Sequence, residues 1–317
     1  LTLADPIFTH IPLRDVDSDL LKWRQGDDIR GLQQGRGLNG QPSRVNRVGT
    51  KELMMAPGAY GEFIPLEETE LTRRGDPDSG ANVDIEDLVI DASEQLQQRF
   101  VDRVRWVGWQ SVMGTVNVLG PRGEPIFAES FPVTSVAAAV AWANRSTSQP
   151  LNDFREWGLS NRGKGYNYGA GAKAYANKRT VNKFLANTNP NDVGGKREGT
   201  GSTLSGLETY NKILGREGAP EIIEYDEGWL DDAGVFQPFI PDDRIVVFGR
   251  RASGAQIGYY AMTRNANNQG NAPGQYTKVV RKGMKEDEAP PARVEVHNGH
   301  NGGPCIEFPG AILIASV

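Results

Sequence analysis

The feature that most constrains the fold is an amphipathic stretch at residues 84–113. Its apolar positions recur every three or four residues, and they are Ile85, Leu88, Val89, Ala92, Leu96, Phe100, Val104 and Val107. This spacing predicts a helix with one buried face, with Asp84 as a cap and Gly114 as a stop. Trp106 and Trp109 widen the apolar stripe, so we expect the last turns to enter a core. At 1.5 Å per residue the helix would be roughly 45 Å long, which is the length of a strut.

Composition points to turns and extended arms around this helix. The chain has 317 residues, with 38 glycines and 19 prolines, which is high for one compact body. A net charge of -5 argues against a surface that binds nucleic acid all over. The single cysteine, Cys305, cannot form an intrachain disulfide. No apolar run could span a bilayer and no signal peptide is recognisable, so we expect a soluble intracellular protein.

The first segment, residues 1–45, has no sustained hydrophobic period. It is polar and punctuated by glycine and arginine, so it has little with which to build a core. Two interpretations stay open, a disordered terminus or an arm that becomes ordered on a neighbouring subunit.

Extended-chain patterns follow at residues 45–74. A turn signal at residues 56–59 separates two apolar runs, the second of which contains Phe63, Ile64 and Leu66. We therefore predict a long hairpin. Because so polar a hairpin would be poorly stable alone, we expect it to lie on another surface.

The rest of the chain predicts short strands mixed with helices. A strand pair is expected at residues 115–119 and 125–131, a helix at 150–162, a hairpin turn at 231–234, and strands at 244–248, 293–297 and 311–316. An Asn- and Gly-rich loop at residues 265–274 joins two further strand candidates.

No stretch carries the spacing of a known catalytic or metal motif. The glycines of residues 163–171 match neither a phosphate-binding loop nor a dinucleotide fingerprint, so a surface loop is predicted there. His297, His300 and Cys305 lie close in sequence, but the residues between them supply no further zinc ligand. We therefore predict no enzyme activity, no metal and no cofactor.

The succession of elements resembles that of a known family. A polar arm, a long hairpin, a strut helix, a small strand unit, a mixed domain and terminal strands follow one another as in the major capsid proteins of tailed bacteriophages. These have the Hong Kong 97-type fold, and the chain is most similar to their lambda-type group. The amino-acid sequence also resembles that group at residues 56–65, 71–74, 239–247 and 304–317. The resemblance spans nearly the whole chain.

The resemblance implies an α+β fold with a defined division. Residues 1–45 would be the N-arm and residues 46–82 the extended loop called the E-loop. The peripheral domain, with the strut as its spine helix, would comprise residues 83–141 and 250–292. The axial domain would comprise residues 142–249 and 293–317.

The implied function is structural. Subunits would assemble as hexamers and pentamers into the icosahedral head of a tailed phage, in the host cytoplasm, and enclose double-stranded DNA that they contact non-specifically. Scaffolding, portal and decoration proteins would be further partners, and no membrane is involved. Two alternatives stay open, an encapsulin-like nanocompartment shell and a virion binding module that is not part of the shell.

Assembly contacts are predicted in two places. The hairpin would contribute Pro57, Tyr60, Phe63 and Ile64, and the Asn-rich loop would contribute Asn265, Asn267, Asn268 and Asn271. Some members of the family cross-link neighbouring subunits through a lysine and an asparagine. Lys51 and one of these asparagines match those residue types.

Overall fold

The fold is described from a computed structural model. It describes residues 5–26, 32, 41, 50–67, 69, 85–120, 122–163, 166–187, 206–231, 233–251, 254, 256–283 and 293–317. The helices are α1 Ile7–His10, α2 Ile85–Val112, α3 Pro150–Ser160, α4 Lys178–Leu185 and α5 Leu207–Glu217. The strands are β1 Leu13–Asp15, β2 Leu21–Gln25, β3 Lys51–Met55, β4 Gly58–Leu66, β5 Thr115–Leu119, β6 Pro125–Ser130, β7 Thr134–Ala137, β8 Lys173–Ala176, β9 Glu221–Glu224, β10 Gly228–Leu230, β11 Phe236–Pro238, β12 Arg244–Phe248, β13 Gly258–Met262, β14 Tyr276–Lys282, β15 Arg293–Ile306 and β16 Ile312–Ser316.

Helix α2 confirms the predicted strut, with its bounds one residue inside the prediction at each end. Its first half packs Ala92 and Leu96 against Val296 of β15. Its second half buries Val104, Val107, Trp109 and Val112 completely in the main core. The widening of the apolar stripe therefore predicted correctly where the helix enters that core. Asp84, the predicted cap, lies outside the described residues.

One sheet, here called the β15 sheet, lies against the first half of α2. Strand β15 pairs with β4 over nine residues, and on its other side with β14. Strand β13 pairs with the end of β15, and β1 adds to β13 in parallel. Side chains at residues 294, 296 and 298 of β15 thus share the face that α2 covers, because residues alternate between faces along a strand.

A second sheet, here called the β12 sheet, has the strand order β7-β16-β12-β8-β9. Strand β16 lies between β7, which is parallel to it, and β12, which is antiparallel. Helices α3, α4 and α5 lie within residues 150–217. Each helix buries one face in the main core, through Phe154 of α3, Phe184 of α4 and Leu214 of α5. Two-stranded units β2–β3, β5–β6 and β10–β11 complete the described fold.

The hairpin predicted at residues 45–74 is wrong. Strand β3 pairs with β2, and β4 pairs with β15, so the two predicted arms of the hairpin join different sheets. The physical reason is that each strand finds its apolar partner elsewhere in the chain. Leu53 of β3 packs on the main core, whereas Ile64 of β4 packs beneath α2.

Where it is described, the segment predicted as an arm at residues 1–45 packs on its own subunit. Ile7, Ile11 and Leu21 are buried in the main core of the subunit itself. Asp5 accepts a 2.5 Å hydrogen bond from the buried hydroxyl of Tyr225. A few well-spaced apolar residues suffice to anchor this segment, although its average composition is polar. Most of residues 26–45 lie outside the described part of the chain.

The sheets do not follow the predicted domain boundaries. Strand β15 was assigned to the axial domain, yet it is hydrogen-bonded to β13 and β14, which were assigned to the peripheral domain. Strand β7 was assigned to the peripheral domain and pairs with β16. The strand pair β5–β6, helix α3 and the turn between β10 and β11 match their predictions.

Candidate assembly surfaces

Two of the predicted contact residues on β4 pack within the subunit. The ring of Tyr60 stacks on His300 with 4.9 Å between ring centroids. Ile64 packs with Leu96 and Val296 beneath α2. Burial raises the pKa of Tyr60 to about 12. These side chains hold β4 to its own subunit, and a role for them in assembly stays a prediction.

Phe63 lies on the opposite, open face of β4. Its side chain is 53% exposed, and its ring stacks on His297 at a centroid distance of 5.1 Å. Pro57 is half-buried between β3 and β4. Of the four predicted residues in this segment, Phe63 has by far the largest apolar area available to a neighbour.

Beside Phe63, the open face carries a cluster of charges around Glu295. Lys282 lies 2.7 Å from the Glu295 carboxylate, and Arg293 and His297 each lie 3.0 Å from it. The hydrogen bond from Lys282 is the main reason that the pKa of Glu295 is lowered. His297 is therefore engaged by a carboxylate within the sheet.

His300 and Cys305 are buried and lie apart from any ligand set. The His300 Nε2 atom is 2.8 Å from the Tyr260 hydroxyl, and burial, together with the charge of Arg103, lowers the pKa of His300 to about 3. Burial likewise raises the pKa of the Cys305 thiol to about 12. Among the residues that the structure describes, no group of three or more His, Cys, Asp or Glu side chains could hold a metal ion.

The Asn-rich loop is held together by its own amides. Asn265 is buried, and its Oδ1 accepts a 2.9 Å hydrogen bond from the backbone N–H of Asn267. The Nδ2 of Asn268 donates to the carbonyls of Ala272 and Gly274, at 3.0 and 3.3 Å. The side chains of Asn267 and Asn271 remain exposed. Of the four predicted asparagines, these two are available for contacts with a neighbour.

Lys51, the lysine considered for cross-linking, is exposed at the first position of β3. Nothing in a single subunit tests whether it approaches an asparagine of a neighbour. The cross-link therefore stays a prediction.

Sequence reasoning missed one surface, on the hairpin formed by β10 and β11. Leu230 and Phe236 are directly opposite each other in the hairpin and are 67% and 49% exposed. Val235, in the turn, is 54% exposed. The sequence did contain a signal for this surface, because the two strands carry apolar residues on both faces. A hairpin with one face in water normally alternates apolar and polar residues.

None of the helices in the described ranges is long and apolar enough to cross a bilayer.

Comparisons with known proteins identify the family. The model of the family described as phage major capsid protein E matches residues 24–291. No curated protein matches the chain. Among solved structures, the putative capsid protein of a prophage of E. coli CFT073 is similar, with a TM-score of 0.58, 13% identity, and coverage of 98% of this chain and 93% of that one.

Two further structures extend the likeness. The capsid of a native GTA particle has a TM-score of 0.51 at 10% identity, with 99% of this chain and 90% of that chain covered. The capsid of the cyanophage P-SCSP1u has a TM-score of 0.50 at 8% identity, with 97% and 86% covered. The fold is thus α+β and of the Hong Kong 97 type, as predicted. Since the family model covers most of the chain, the chain belongs to the phage major capsid protein E family, whose members are structural subunits of the virion shell.

Proposed function

We propose that this chain builds the icosahedral head of a tailed phage as hexamers and pentamers of identical subunits, and that the head encloses double-stranded DNA. The observation that carries the proposal is the family match over residues 24–291. In the subunit, α2 covers one face of the β15 sheet beside Val296, and Phe63 is 53% exposed on the other face, which suits a protein that completes its packing on neighbours. Its role is that of a building block rather than an enzyme.

The division into domains follows the sheets in this proposal. The β15 sheet, α2 and the β5–β6 pair form the peripheral domain, and the β12 sheet with α3, α4 and α5 forms the axial domain around the fivefold and sixfold axes. Support comes from the hydrogen bonding of β15 to β13 and β14, and of β7 to β16. The boundaries predicted from sequence are redrawn at these two strands.

We propose that the extended loop, predicted from sequence at residues 46–82, comprises residues 26–50 instead. Strands β2 and β3, which flank this segment, are antiparallel partners. This segment contains Arg30, Arg36, Arg44 and Arg47 and few large apolar residues, so it has little with which to fold on its own.

Scaffolding, portal and decoration proteins complete the proposed set of partners, and assembly takes place in the host cytoplasm. DNA would be contacted non-specifically through local cationic patches, because the chain as a whole has a net charge of -5.

Electron microscopy of the purified protein tests this function. We expect closed shells, tubes or rings of subunits after expression, and heads that contain DNA when the chain is produced in a phage infection. A protein that stays a monodisperse monomer under all conditions contradicts the proposal. Shells filled with a cellular protein instead of DNA would indicate an encapsulin-like nanocompartment.

A further inference from the structure

The β10–β11 hairpin has one face turned into the subunit and an apolar face turned away from it. Trp229 packs against the main core from the inner face. Leu230, Phe236 and Pro238 lie on the outer face together with Gly228. At Gly228 a Cβ atom would lie 2.6 Å from the Phe236 ring and 2.3 Å from the Gln237 carbonyl oxygen. A residue larger than glycine would therefore collide with the Phe236 ring at this position. The outer face is thus a continuous apolar surface.

The turn of this hairpin is fixed by Asp231. Its Oδ1 accepts hydrogen bonds from the backbone N–H groups of Ala233 and Val235, at 3.0 and 2.8 Å. Its Oδ2 accepts a 3.0 Å hydrogen bond from the Gln237 side chain. The exposed apolar side chains are therefore held in one arrangement before any partner binds, which lowers the entropy cost of binding.

The hairpin is acidic at its base and in its turn. Asp226 and Glu227 are exposed at the base of the hairpin, and Asp231 is in its turn. The charge of Glu227 also acts on Asp102 of α2, whose pKa is raised, mainly by burial and in part by this like charge. A partner for this face must combine apolar area with positive charge.

Strand β14 has that combination. None of its seven residues is buried, Val279 is 45% exposed, and β15 is its only strand partner in the described ranges. Lys278 and Arg281 are exposed, and no carboxylate of the described residues lies within salt-bridge distance of either. β14 is thus an edge strand on which Val279 and Arg281 share one face, since they pair with Val296 and Val294, while Lys278 pairs with His297 and lies on the other face.

The two surfaces lie at different levels of α2 within one subunit. Val279 is the neighbour of Val296, which contacts Ala92 and Leu96, whereas the hairpin lies near Asp102. At 1.5 Å per residue these levels are roughly 10–15 Å apart along the helix. A second copy of the chain can bring them together where one copy does not.

We propose that the β10–β11 hairpin of one copy docks on β14 of a neighbouring copy, with Leu230, Val235 and Phe236 against Val279 and the acidic residues of the hairpin facing Arg281. This inference rests on the proposed function, because it requires a shell of identical subunits. The contact is heterologous, since the hairpin and β14 are different surfaces, and repeating it builds a ring where the rotation between neighbours closes.

Charge reversal tests the contact. In Glu227→Lys and in Arg281→Glu a like charge faces its partner, so each variant should raise the protein concentration needed for assembly by roughly tenfold or more. The combination of both changes should restore most of the assembly. Glu156→Lys, an exposed reversal on α3, is the matched control and should assemble normally. Sedimentation and microscopy measure assembly, and thermal melting checks that each subunit is folded.

The apolar part is tested separately with Leu230→Asn and Leu230→Met. Methionine keeps the apolar area and should preserve assembly, whereas asparagine should lose it while the subunit melts normally. The proposed contact is overturned if both single charge reversals assemble like the wild type, if the combined variant is no better than either, or if Leu230→Asn forms shells normally. Failure of the wild-type protein itself to form shells would instead refute the proposed function.

Discussion

Strand β4 and the β10–β11 hairpin have opposite relations to their own subunit. β4 belongs to a segment whose polar sequence predicted that it would rest on a neighbour, yet it pairs with β15 over its whole length. The hairpin was predicted only as a turn, yet it exposes Leu230, Val235 and Phe236. The average polarity of a sequence segment therefore does not predict whether its surface is exposed on the subunit and available to a neighbour. What decides is whether another element of the same chain covers the face in question.

The attachment of β4 comes from its strand pairing and from one apolar contact rather than from charge. Arg99 of α2 donates two hydrogen bonds to the Glu62 carboxylate. Both side chains are about half exposed, and ion pairs in water typically contribute about 0.2–1 kcal/mol. Ile64 is partly buried against Leu96 and Val296, so it contributes part of the about 1.5–3 kcal/mol that a fully buried aliphatic side chain is worth.

The sharpest test of the difference is to place a charge on each side of β4. Ile64→Asp and Leu96→Asp put an unpaired carboxylate into the same apolar cluster, and each should cost about 3 kcal/mol or more, enough to give insoluble subunits. Phe63→Asp, one position away on the open face, should change the free energy of unfolding by less than about 1 kcal/mol. Chemical denaturation of the soluble variants, with protein solubility as a first measure, distinguishes the two faces. If Leu96→Asp melted normally, α2 would not be buried there.

The hairpin should show the same contrast between its faces. Trp229→Ala removes the ring that packs on the main core and should cost about 2–3 kcal/mol. Leu230→Ala should stay within about 0.5 kcal/mol, because its side chain is mostly in water in the free subunit. Equal losses in the two variants would mean that the outer face is not an open surface.

His300 offers a pH test of the packing on β4, because Tyr60 stacks on it. Its pKa is lowered from 6.5 to about 3 in the folded subunit by burial. The unfolded chain therefore binds a proton first as the pH falls, and stability decreases between pH 6.5 and about 3. From pH 6.5 to 5 the loss should be about 2 kcal/mol, at about 1.4 kcal/mol per pH unit. His300→Gln should lack this part of the pH dependence in denaturation curves, and an unchanged slope would contradict the assignment.

The smallest expected effect concerns the turn of the hairpin. Asp231→Ala removes three hydrogen bonds at the surface, so amide hydrogen exchange at Ala233 and Val235 should become faster with little change in the melting of the subunit. The hydrogen bond from Val235 is the main reason that the pKa of Asp231 is lowered. Acid should therefore loosen the turn as the pH falls below 3.8, the ordinary value for this carboxyl group. Unchanged exchange rates would show that Asp231 does not fix the turn.

Local patterns predicted the local elements of this fold well. The period of α2, the turn before β11 and the run of β12 are properties of adjacent residues, and each was found where the pattern indicated. Pairing was not predictable in this way. Strands β3 and β4 are adjacent in sequence with a turn signal between them, but their partners β2 and β15 lie elsewhere in the chain. A single sequence contains no signal for such distant partners.

The same limit applies to the surfaces. Asn265 and Asn268 were predicted as assembly contacts, and in the subunit they hydrogen-bond within their own loop. Whether an amide points inward depends on the path of the backbone, which composition does not specify. The exposed face of β4 that carries Phe63 and the exposed face of the β10–β11 hairpin that carries Leu230 can be identified only when the strand pairing is known.

The place of β16 in the β12 sheet has a consequence for the synthesis of the subunit. β16 is the last of the five strands to leave the ribosome, yet it lies between the edge strand β7 and the central strand β12. Until residues 312–316 are available, β7 has no strand partner in this sheet and β12 has a bare edge. A shortened product that lacks this strand is left with an open sheet, exposed to proteases and prone to pair with other chains. Only subunits translated through β16 can complete the β12 sheet.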